Sequence, residues 1–230
     1  MRISIIIPCF NEVSTIETVV NNIRSQPLNI FEIIVVDDYS TDGSRELISK
    51  MKENGSIDKV VLQDKNFGKG FAIKTAINLL EGDIAVIQDA DLEYDPNDLC
   101  KLVQPLLDDQ ADVVYGSRFS SSSTHRLLYY WHSVGNKFLT TLSNMMTNLN
   151  FTDMETGYKA FRVDILKQIQ IEQNRFGFEP EITAKVTRLK CRIYEIGISY
   201  HGRTYKDGKK ITWKDGIAAI YCIFKYNLFK

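Results

Sequence analysis

The apolar residues of this chain lie in short continuous runs rather than in an alternating pattern. Five runs rich in isoleucine and valine start 29, 27, 24 and 29 residues apart, at residues 3–7, 32–36, 59–62, 83–87 and 112–115. Continuous runs of this length are typical of parallel strands that are buried on both faces. The intervals between them are long enough for helices and carry helix-start residues at Ser14, at Ser40 or Thr41, and at Pro96.

This βα rhythm predicts an α/β fold. Five cycles are too few for an eight-stranded barrel, so we expect an open, doubly wound central sheet, mostly parallel, with helices on both faces. After about residue 117 the rhythm changes, and the pattern predicts a loop at 120–124, a helix at 127–149, a strand at 157–161, a helix at 182–189, an alternating strand at 192–200 and a final helix at 214–226. We expect one domain over residues 1–212, followed by a C-terminal amphipathic helix over residues 213–230.

Composition and charge exclude several classes of protein. Lysine and arginine total 28 against 29 for aspartate and glutamate, whereas a nucleic-acid-binding protein usually carries a basic excess. The four cysteines stand far apart without a C-x-x-C pair, so neither a zinc knuckle nor a disulfide framework is indicated, and a reducing cytoplasm is the simplest setting. No signal-peptide pattern opens the chain, and the late apolar run at 217–224 is shorter than the ~20 residues that span a bilayer.

Polar side chains follow four of the predicted strands. In open α/β sheets ligands bind beyond the carboxyl ends of the strands, so these segments are the candidate site. They are residues 8–12 (PCFNE), 37–38 (DD), 66–70 (NFGKG) and 89–91 (DAD). We expect all four segments to meet at one edge of the sheet.

The most informative of these segments is the one with the carboxylate pair Asp89 and Asp91. Two carboxylates two residues apart at a strand end can lean toward one cation, and their oxygens suit Mg²⁺ or Mn²⁺, which in turn bind a diphosphate. The alternative is a pair of solvated turn acids. Asp38 stands where doubly wound folds place an acid that binds a ribose or base, and its alternative role is a helix cap. The first loop lacks G-x-G-x-x-G and the third lacks a P-loop pattern, which argues against a dinucleotide dehydrogenase and a P-loop protein.

These segments resemble the family-2 glycosyltransferases of GT-A fold. The resemblance rests on residues 5–12 (IIIPCFNE), 35–40 (VVDDYS), 66–70 (NFGKG), 89–91 (DAD) and 116–118 (GSR), and it runs in order and spacing from residue 3 to about residue 212. Within the family the chain is most similar to the dolichyl-phosphate mannose synthase branch, through residues 133–136 (SVGN), residues 152–157 (TDMETG) and Arg203.

The resemblance implies a role for each site residue. Nucleotide-sugar binding falls to Pro8, Phe10, Glu12, Val36, Asp38, Lys69, Asp89, Ala90, Asp91, Arg203 and Lys209. The Mn²⁺ or Mg²⁺ ligands are Asp89, Asp91 and Glu93, and acceptor binding falls to Arg118, Arg126 and Ser133. The implied catalytic set is Asp91, Arg118, Asp153 and Arg203. Phe10 stands where the family often has Tyr, and Glu93 where the mannose synthases usually have Gln, so the choice of donor stays open.

The implied function is a metal-dependent, inverting transfer of a hexose, mannose or glucose, from GDP-mannose or a UDP-hexose to a polyprenyl or dolichyl phosphate. The enzyme is then peripheral on the cytoplasmic face of a membrane and binds no nucleic acid. A second interpretation is transfer to a sugar hydroxyl in surface polysaccharide synthesis, which needs a general base such as Asp153, Glu179 or Glu181. A nucleotidyltransferase and a nucleotide-binding module without turnover are further alternatives.

The C-terminal helix has an apolar stripe with two interpretations. The stripe consists of Trp213, Ile217, Ile220, Tyr221, Phe224 and Leu228, and it is flanked by Lys209, Lys210, Lys214, Lys225 and Lys230. Such a stripe usually packs on the core of its own domain, but aromatic residues with basic flanks also suit a helix that lies in a membrane interface. The three histidines have neither zinc-site nor triad spacing, although His201 is placed to line the donor pocket.

Overall fold

The computed structural model describes residues 1–120, 129–202 and 213–228, with backbone only at 213 and 214. Its strands are β1 (Ile3–Cys9), β2 (Ile30–Asp37), β3 (Lys59–Leu62), β4 (Ile84–Ile87), β5 (Val113–Ser117), β6 (Lys159–Arg162) and β7 (Ile193–Gly197). Its α-helices are α1 (Ile16–Arg24), α2 (Ser44–Glu53), α3 (Lys69–Ile77), α4 (Leu99–Leu107), α5 (Tyr130–Thr147), α6 (Val163–Lys167), α7 (Phe178–Arg188) and α8 (Trp213–Leu228).

The strands form one sheet in the order β3-β2-β1-β4-β6-β5-β7. All neighbouring pairs are parallel except those of β6, which runs antiparallel to both β4 and β5. The predicted α/β architecture with a mostly parallel central sheet is therefore confirmed. Because β6 is reversed, its first residue, Lys159, lies beside Ile87 at the carboxyl end of β4. The loop before β6 consequently arrives at the edge where the other strands end.

Apolar side chains cover both faces of the sheet, which accounts for the continuous runs in the sequence. Successive residues of β1 point to opposite faces, so Ile5 and Ile7 pack in one cluster with residues of α1, α2 and α4. Ile6 packs in the other cluster, with residues of α3, α6 and α7. A strand covered on both sides has no solvated face and therefore needs no polar alternation.

The second half of the chain departs from the predicted boundaries. Helix α7 begins at Phe178 rather than at residue 182, so Glu179 and Glu181 lie in its first turn, near the positive end of the helix dipole. The predicted strand at 157–161 begins two residues later, and β7 ends at Gly197, beyond which Tyr200 pairs with Tyr94 in an isolated bridge. The short helix α6 was not predicted. Most of the loop predicted at 120–124 lies outside the described residues.

Helix α8 packs on the domain through a face other than the predicted stripe. Ala219, Cys222, Ile223 and Tyr226 are buried, and α8 lies against α5 and α7. Cys222 reaches the first turn of α7 because residue 177 is a glycine, at which a Cβ would lie 2.7 Å from the Cys222 sulfur.

The predicted stripe on α8 is therefore exposed at most of its positions. Ile217, Tyr221 and Leu228 are 58%, 63% and 58% exposed. Within residues 1–120, 129–202 and 213–228, every helix is too short or too polar to span a bilayer. The side chain of Trp213 lies outside the described residues.

The orientation of α8 predicts effects of very different size on stability at two nearby positions. Ile223→Ala should lower the free energy of unfolding by about 2–5 kcal/mol because it leaves a cavity in a fully buried contact. Tyr221→Ala on the exposed face should change it by less than about 0.5 kcal/mol. Chemical denaturation of both variants measures the difference, and a larger loss for Tyr221→Ala would show that the helix is docked through the other face.

Candidate active site

A cavity of about 420 Å³ opens at the carboxyl edge of the sheet. Its walls come from the segments that follow β1, β2, β3, β4 and β5, from the loop before β6 and from the start of α7. Among the predicted nucleotide-sugar-binding and metal-binding residues, those that line it are Pro8, Phe10, Glu12, Asp38, Lys69, Asp89, Ala90, Asp91 and Glu93. Val36 does not line it, because its side chain is fully buried in the core beneath the cavity.

Asp38 holds the loop that opens α3. The backbone N–H groups of Phe67 and Gly68 each donate to one of its carboxylate oxygens at 2.7 Å. Burial raises the pKa of Asp38, and these two hydrogen bonds partly offset the rise. Gly68 is required at this turn, because its φ is +106° and a Cβ there would lie 2.5 Å from the Asn174 carbonyl oxygen. Asp38 thus shapes the cavity wall that it also lines.

The three predicted metal ligands line the same cavity but have different partners. Asp89 binds the Lys69 ammonium at 2.8 Å, and Asp91 accepts a hydrogen bond from the Glu93 backbone at 3.1 Å. The Glu93 carboxylate accepts a hydrogen bond from the Tyr200 hydroxyl at 2.8 Å. In the described part of the chain, no three His, Cys, Asp or Glu side chains are grouped to hold a metal ion between them. The carboxylates are hard oxygen donors, and Mg²⁺ commonly takes only one or two of these together with substrate phosphates, so the donor set fits such an ion.

Lys69 links the two acidic sides of the cavity. Its ammonium lies 2.8 Å from Asp89 Oδ1 and 3.2 Å from Glu179 Oε1. Burial alone would lower the pKa of Lys69, but these two carboxylates outweigh that effect and raise it. Lys69 therefore stays positively charged within the cavity, where a diphosphate can meet it.

Arg118 is fixed by a buried carboxylate. Its Nε and Nη2 donate to the two Asp153 oxygens at 2.6 and 2.7 Å, and Asp153 is 0% exposed. Asp153 also accepts hydrogen bonds from the Arg118 backbone and from Asn136 Nδ2. Because both of its oxygens are engaged with Arg118, Asp153 positions this side chain, which lines the cavity.

Two acids in the first turn of α7 differ in availability. Glu181 is fully buried and accepts hydrogen bonds from the backbones of Glu172 and Gln173 and from Lys185, so it holds the loop before α7. Glu179 lines the cavity, and its Oε2 has no hydrogen-bond partner among the described residues.

Several residues that line the cavity were not predicted from the sequence. They are Tyr94, His132, Glu155, Gly157, Arg175, Phe176 and Tyr200. Glu155 and Gly157 lie within the quoted motif at 152–157, but no periodicity indicates that this loop reaches the strand ends. His132 lines the cavity although the spacing of the histidines indicates neither a zinc site nor a triad.

Other predicted residues lie elsewhere. Ser133 is on α5, where its hydroxyl donates to the Tyr129 carbonyl at 3.4 Å, and it does not line the cavity. His201 is exposed and is also absent from the lining. Arg126, Arg203 and Lys209 lie outside the described residues.

Comparison with known proteins identifies relatives along most of the chain. A family model described as Glycosyl transferase family 2 matches residues 4–170. A UDP-N-acetylglucosamine–dolichyl-phosphate N-acetylglucosaminyltransferase of Methanococcus voltae is 30% identical over 85% of this chain and 84% of its own length. An undecaprenyl-phosphate mannosyltransferase of Micrococcus luteus is 29% identical over 91% of this chain and 87% of its own length.

Solved structures share the fold. A glucosyl-3-phosphoglycerate synthase of Mycobacterium tuberculosis, with Mn²⁺, UDP and glucosyl-3-phosphoglycerate bound, superposes with a TM-score of 0.75 at 20% identity over 98% of this chain and 80% of that one. The same enzyme with Mg²⁺ and UDP bound superposes with a TM-score of 0.73 at 18% identity, over 98% of this chain and 79% of that one. The GT-A fold expected from the sequence is therefore confirmed.

The buried pair predicts that Arg118 serves stability as well as binding. Arg118→Ala should lower the free energy of unfolding by about 3–5 kcal/mol, because it leaves the Asp153 charge buried and without its main partner. Arg2→Ala is the matched control, since Arg2 pairs with the half-exposed Asp83 and should cost at most about 1 kcal/mol. Denaturant titration measures the free energy of unfolding of both variants. Equal decreases would show that the buried Asp153 charge is not the cause of the destabilisation.

Proposed function

The chain belongs to glycosyl transferase family 2, and on this premise we propose that it transfers a hexose from a nucleotide diphosphate sugar to a polyprenyl phosphate. The observation that carries the proposal is one cavity that holds the Asp89 and Asp91 carboxylates together with the partly buried cations Lys69 and Arg118. The names of the relatives agree with it, since they include transferases of N-acetylglucosamine and mannose to dolichyl or undecaprenyl phosphate.

The donor would bind at the ends of β1, β2 and β4. Pro8, Phe10 and Asp38 form the wall for the nucleoside, and the diphosphate faces Asp89 and Asp91. A divalent cation held by these acids, with Glu93 beside them, would neutralise the nucleoside diphosphate as it leaves. Lys69 adds a positive charge at the same point, so part of the leaving-group stabilisation belongs to the chain itself.

The acceptor needs little chemical activation. A phosphate monoester carries ~1.5 to 2 negative charges at neutral pH and can attack the anomeric carbon without a strong base. Arg118, oriented by Asp153, would bind that phosphate and hold it in line with the leaving diphosphate, so catalysis rests on positioning and charge. Attack from the side opposite the leaving group gives an inverted product.

One observation favours a second candidate, transfer to a sugar hydroxyl. That reaction needs a general base, and Glu179 lines the cavity with one oxygen without a partner in the described part of the chain. Asp153 and Glu181 are less suited as bases because their oxygens are occupied by hydrogen bonds.

A panel of GDP-mannose, UDP-glucose and UDP-N-acetylglucosamine, each with undecaprenyl or dolichyl phosphate, tests the proposal. Mass spectrometry should detect release of UDP or GDP together with a lipid-linked sugar. Product formed only with an oligosaccharide acceptor would favour the second candidate. Release of pyrophosphate would instead indicate nucleotidyl transfer.

The carboxylate pair predicts metal dependence. Asp91→Asn should reduce transfer by about 100-fold or more, because a metal ion that stabilises the leaving group contributes several kcal/mol. Asp95→Asn is the matched control, since Asp95 caps the next turn outside the cavity and Asn can keep that cap. Initial rates with and without EDTA give the measurement, and full turnover by Asp91→Asn or in EDTA would contradict the metal role.

Two exposed apolar helix faces support contact with a membrane. On α5 the exposed residues are Tyr130, Trp131, Val134, Phe138 and Met145, and on α8 they are Ile217, Tyr221, Phe224 and Leu228. The two helices pack against each other, and His132, beside Trp131, lines the cavity. We name these nine residues the aromatic face. Because Trp131 adjoins His132 in sequence, we infer that one end of this face lies near the cavity mouth, where a lipid phosphate would enter, and its aromatic content suits a bilayer interface.

Vesicle binding tests the aromatic face. The chain should sediment with anionic vesicles, partly released by salt, and the triple variant Phe138→Ser, Ile217→Ser and Tyr221→Ser should stay in the supernatant. A control triple variant changes exposed apolar residues elsewhere, Phe31→Ser, Leu62→Ser and Tyr194→Ser, and should bind as the unchanged chain does. Equal loss in both variants, or no binding by the unchanged chain, would refute the membrane contact.

A further inference from the structure

The inner wall of the cavity carries two carboxyl groups with unsatisfied oxygens. Glu155, from the loop before β6, and Glu179, from the first turn of α7, both line the cavity. Glu155 Oε1 and Glu179 Oε2 are buried and have no hydrogen-bond partner in the described part of the chain. A buried polar atom without a partner lowers stability, so two on one wall point to a ligand that satisfies them.

The position of this pair identifies the part of the ligand it meets. On one side, Glu179 Oε1 shares the Lys69 ammonium with Asp89, the acid that faces the donor diphosphate. On the other side, the charges of Arg118 and Asp153 act on the Glu155 carboxyl. The transferred sugar lies between diphosphate and acceptor, because its anomeric carbon is bonded to the first and attacked by the second.

The loop that carries Glu155 packs closely against Asp89 and Lys69, on the side of the cavity where the donor would bind. A Cβ on Gly157 would lie 2.5 Å from Asp89 Oδ2 and 3.0 Å from Lys69 Nζ, so glycine permits this approach. The Gly157 N–H donates to the Tyr94 hydroxyl at 2.8 Å, which fixes the backbone two residues after Glu155. The wall is therefore built before any ligand arrives.

We propose that Glu155 and Glu179 bind hydroxyl groups of the transferred sugar and make the enzyme select a neutral pyranose. This inference rests on the proposed function and names the sugar-recognising residues of that same site. Burial and the nearby Glu179 charge raise the pKa of Glu155 to about 8, so at neutral pH Glu155 holds a proton that it can donate. Glu179, paired with Lys69, supplies an acceptor. A sugar carboxylate would meet the Glu179 charge in a buried setting, where like charges repel strongly.

Binding measurements separate sugar recognition from nucleotide recognition. The probes are UDP or GDP, whichever the unchanged chain binds with Mn²⁺, and the neutral sugar nucleotide of the same base, UDP-galactose or GDP-mannose. Glu155→Leu keeps much of the volume but removes both hydrogen-bonding atoms, whereas Glu155→Gln keeps a donor and an acceptor. We expect Glu155→Leu to lower the affinity for the sugar nucleotide about tenfold, equivalent to about 1.4 kcal/mol, and to leave the affinity for the nucleoside diphosphate unchanged. Glu155→Gln should lose less than about threefold.

The outcomes distinguish failure of the inference from failure of the proposed function. Unchanged sugar-nucleotide affinity in Glu155→Leu, or equal losses in the Leu and Gln variants, overturns the inference. If Glu155→Leu also weakens binding of the nucleoside diphosphate, the same two affinities are measured for Glu155→Ala, which adds no bulk. Weaker binding of the sugar nucleotide alone by Glu155→Ala supports the inference, and equal losses for both ligands overturn it. No binding of UDP or GDP by the unchanged chain overturns the proposed function and the inference with it.

A matched pair of donors tests the charge selectivity. UDP-galacturonate differs from UDP-galactose, and GDP-mannuronate from GDP-mannose, by a carboxylate at C6. We expect the uronate to bind at least tenfold more weakly than its neutral partner, about 1.4 kcal/mol. Equal or tighter binding of the uronate overturns selection of a neutral sugar.

Discussion

The direction of β6 determines which side chains share the cavity. Six strands run one way and end at the cavity, and β6, between β4 and β5, runs the other way and therefore starts there. The loop before β6 consequently delivers Asp153 to Arg118 and brings Gly157 against Asp89. A parallel strand in the same place would send this loop to the opposite edge, and the cavity would lose both contacts.

Ion pairing within this reversed arrangement keeps the buried charges in place. Lys69 lies between Asp89 and Glu179, and Arg118 is held by both oxygens of Asp153. Removing one partner of such a pair costs more than the pair itself contributes, because the remaining charge stays out of water. The same cations are then ready to meet phosphate groups without a further cost of ordering their side chains.

The outer helices extend the site toward a surface. Helix α5 contributes His132 to the cavity lining and an exposed apolar face beside it, and α8 packs against α5 with a second such face. An amphipathic helix usually buries its larger apolar stripe. On α8 the face that contains Cys222, against Gly177, is buried instead, and Ile217, Tyr221, Phe224 and Leu228 are left exposed.

The sequence by itself determined the layered α/β architecture, the first five strands and the acids at their ends, because strand burial and loop polarity are local patterns of adjacent residues. It also indicated the family, because the family's motifs occur along the chain in the expected order. The reversal of β6, the hydrogen bonds that occupy Asp153 and Glu181, and the place of Glu155 at the cavity wall were decided only by the tertiary structure. Contacts such as those of Arg118 with Asp153 and of Cys222 with Gly177 join residues far apart in the chain, and the hydrogen bonds of Glu181 depend on how the loop at 172–173 folds onto α7. No periodicity in one segment encodes the partner that another segment presents to it, since that is set by how the whole chain packs.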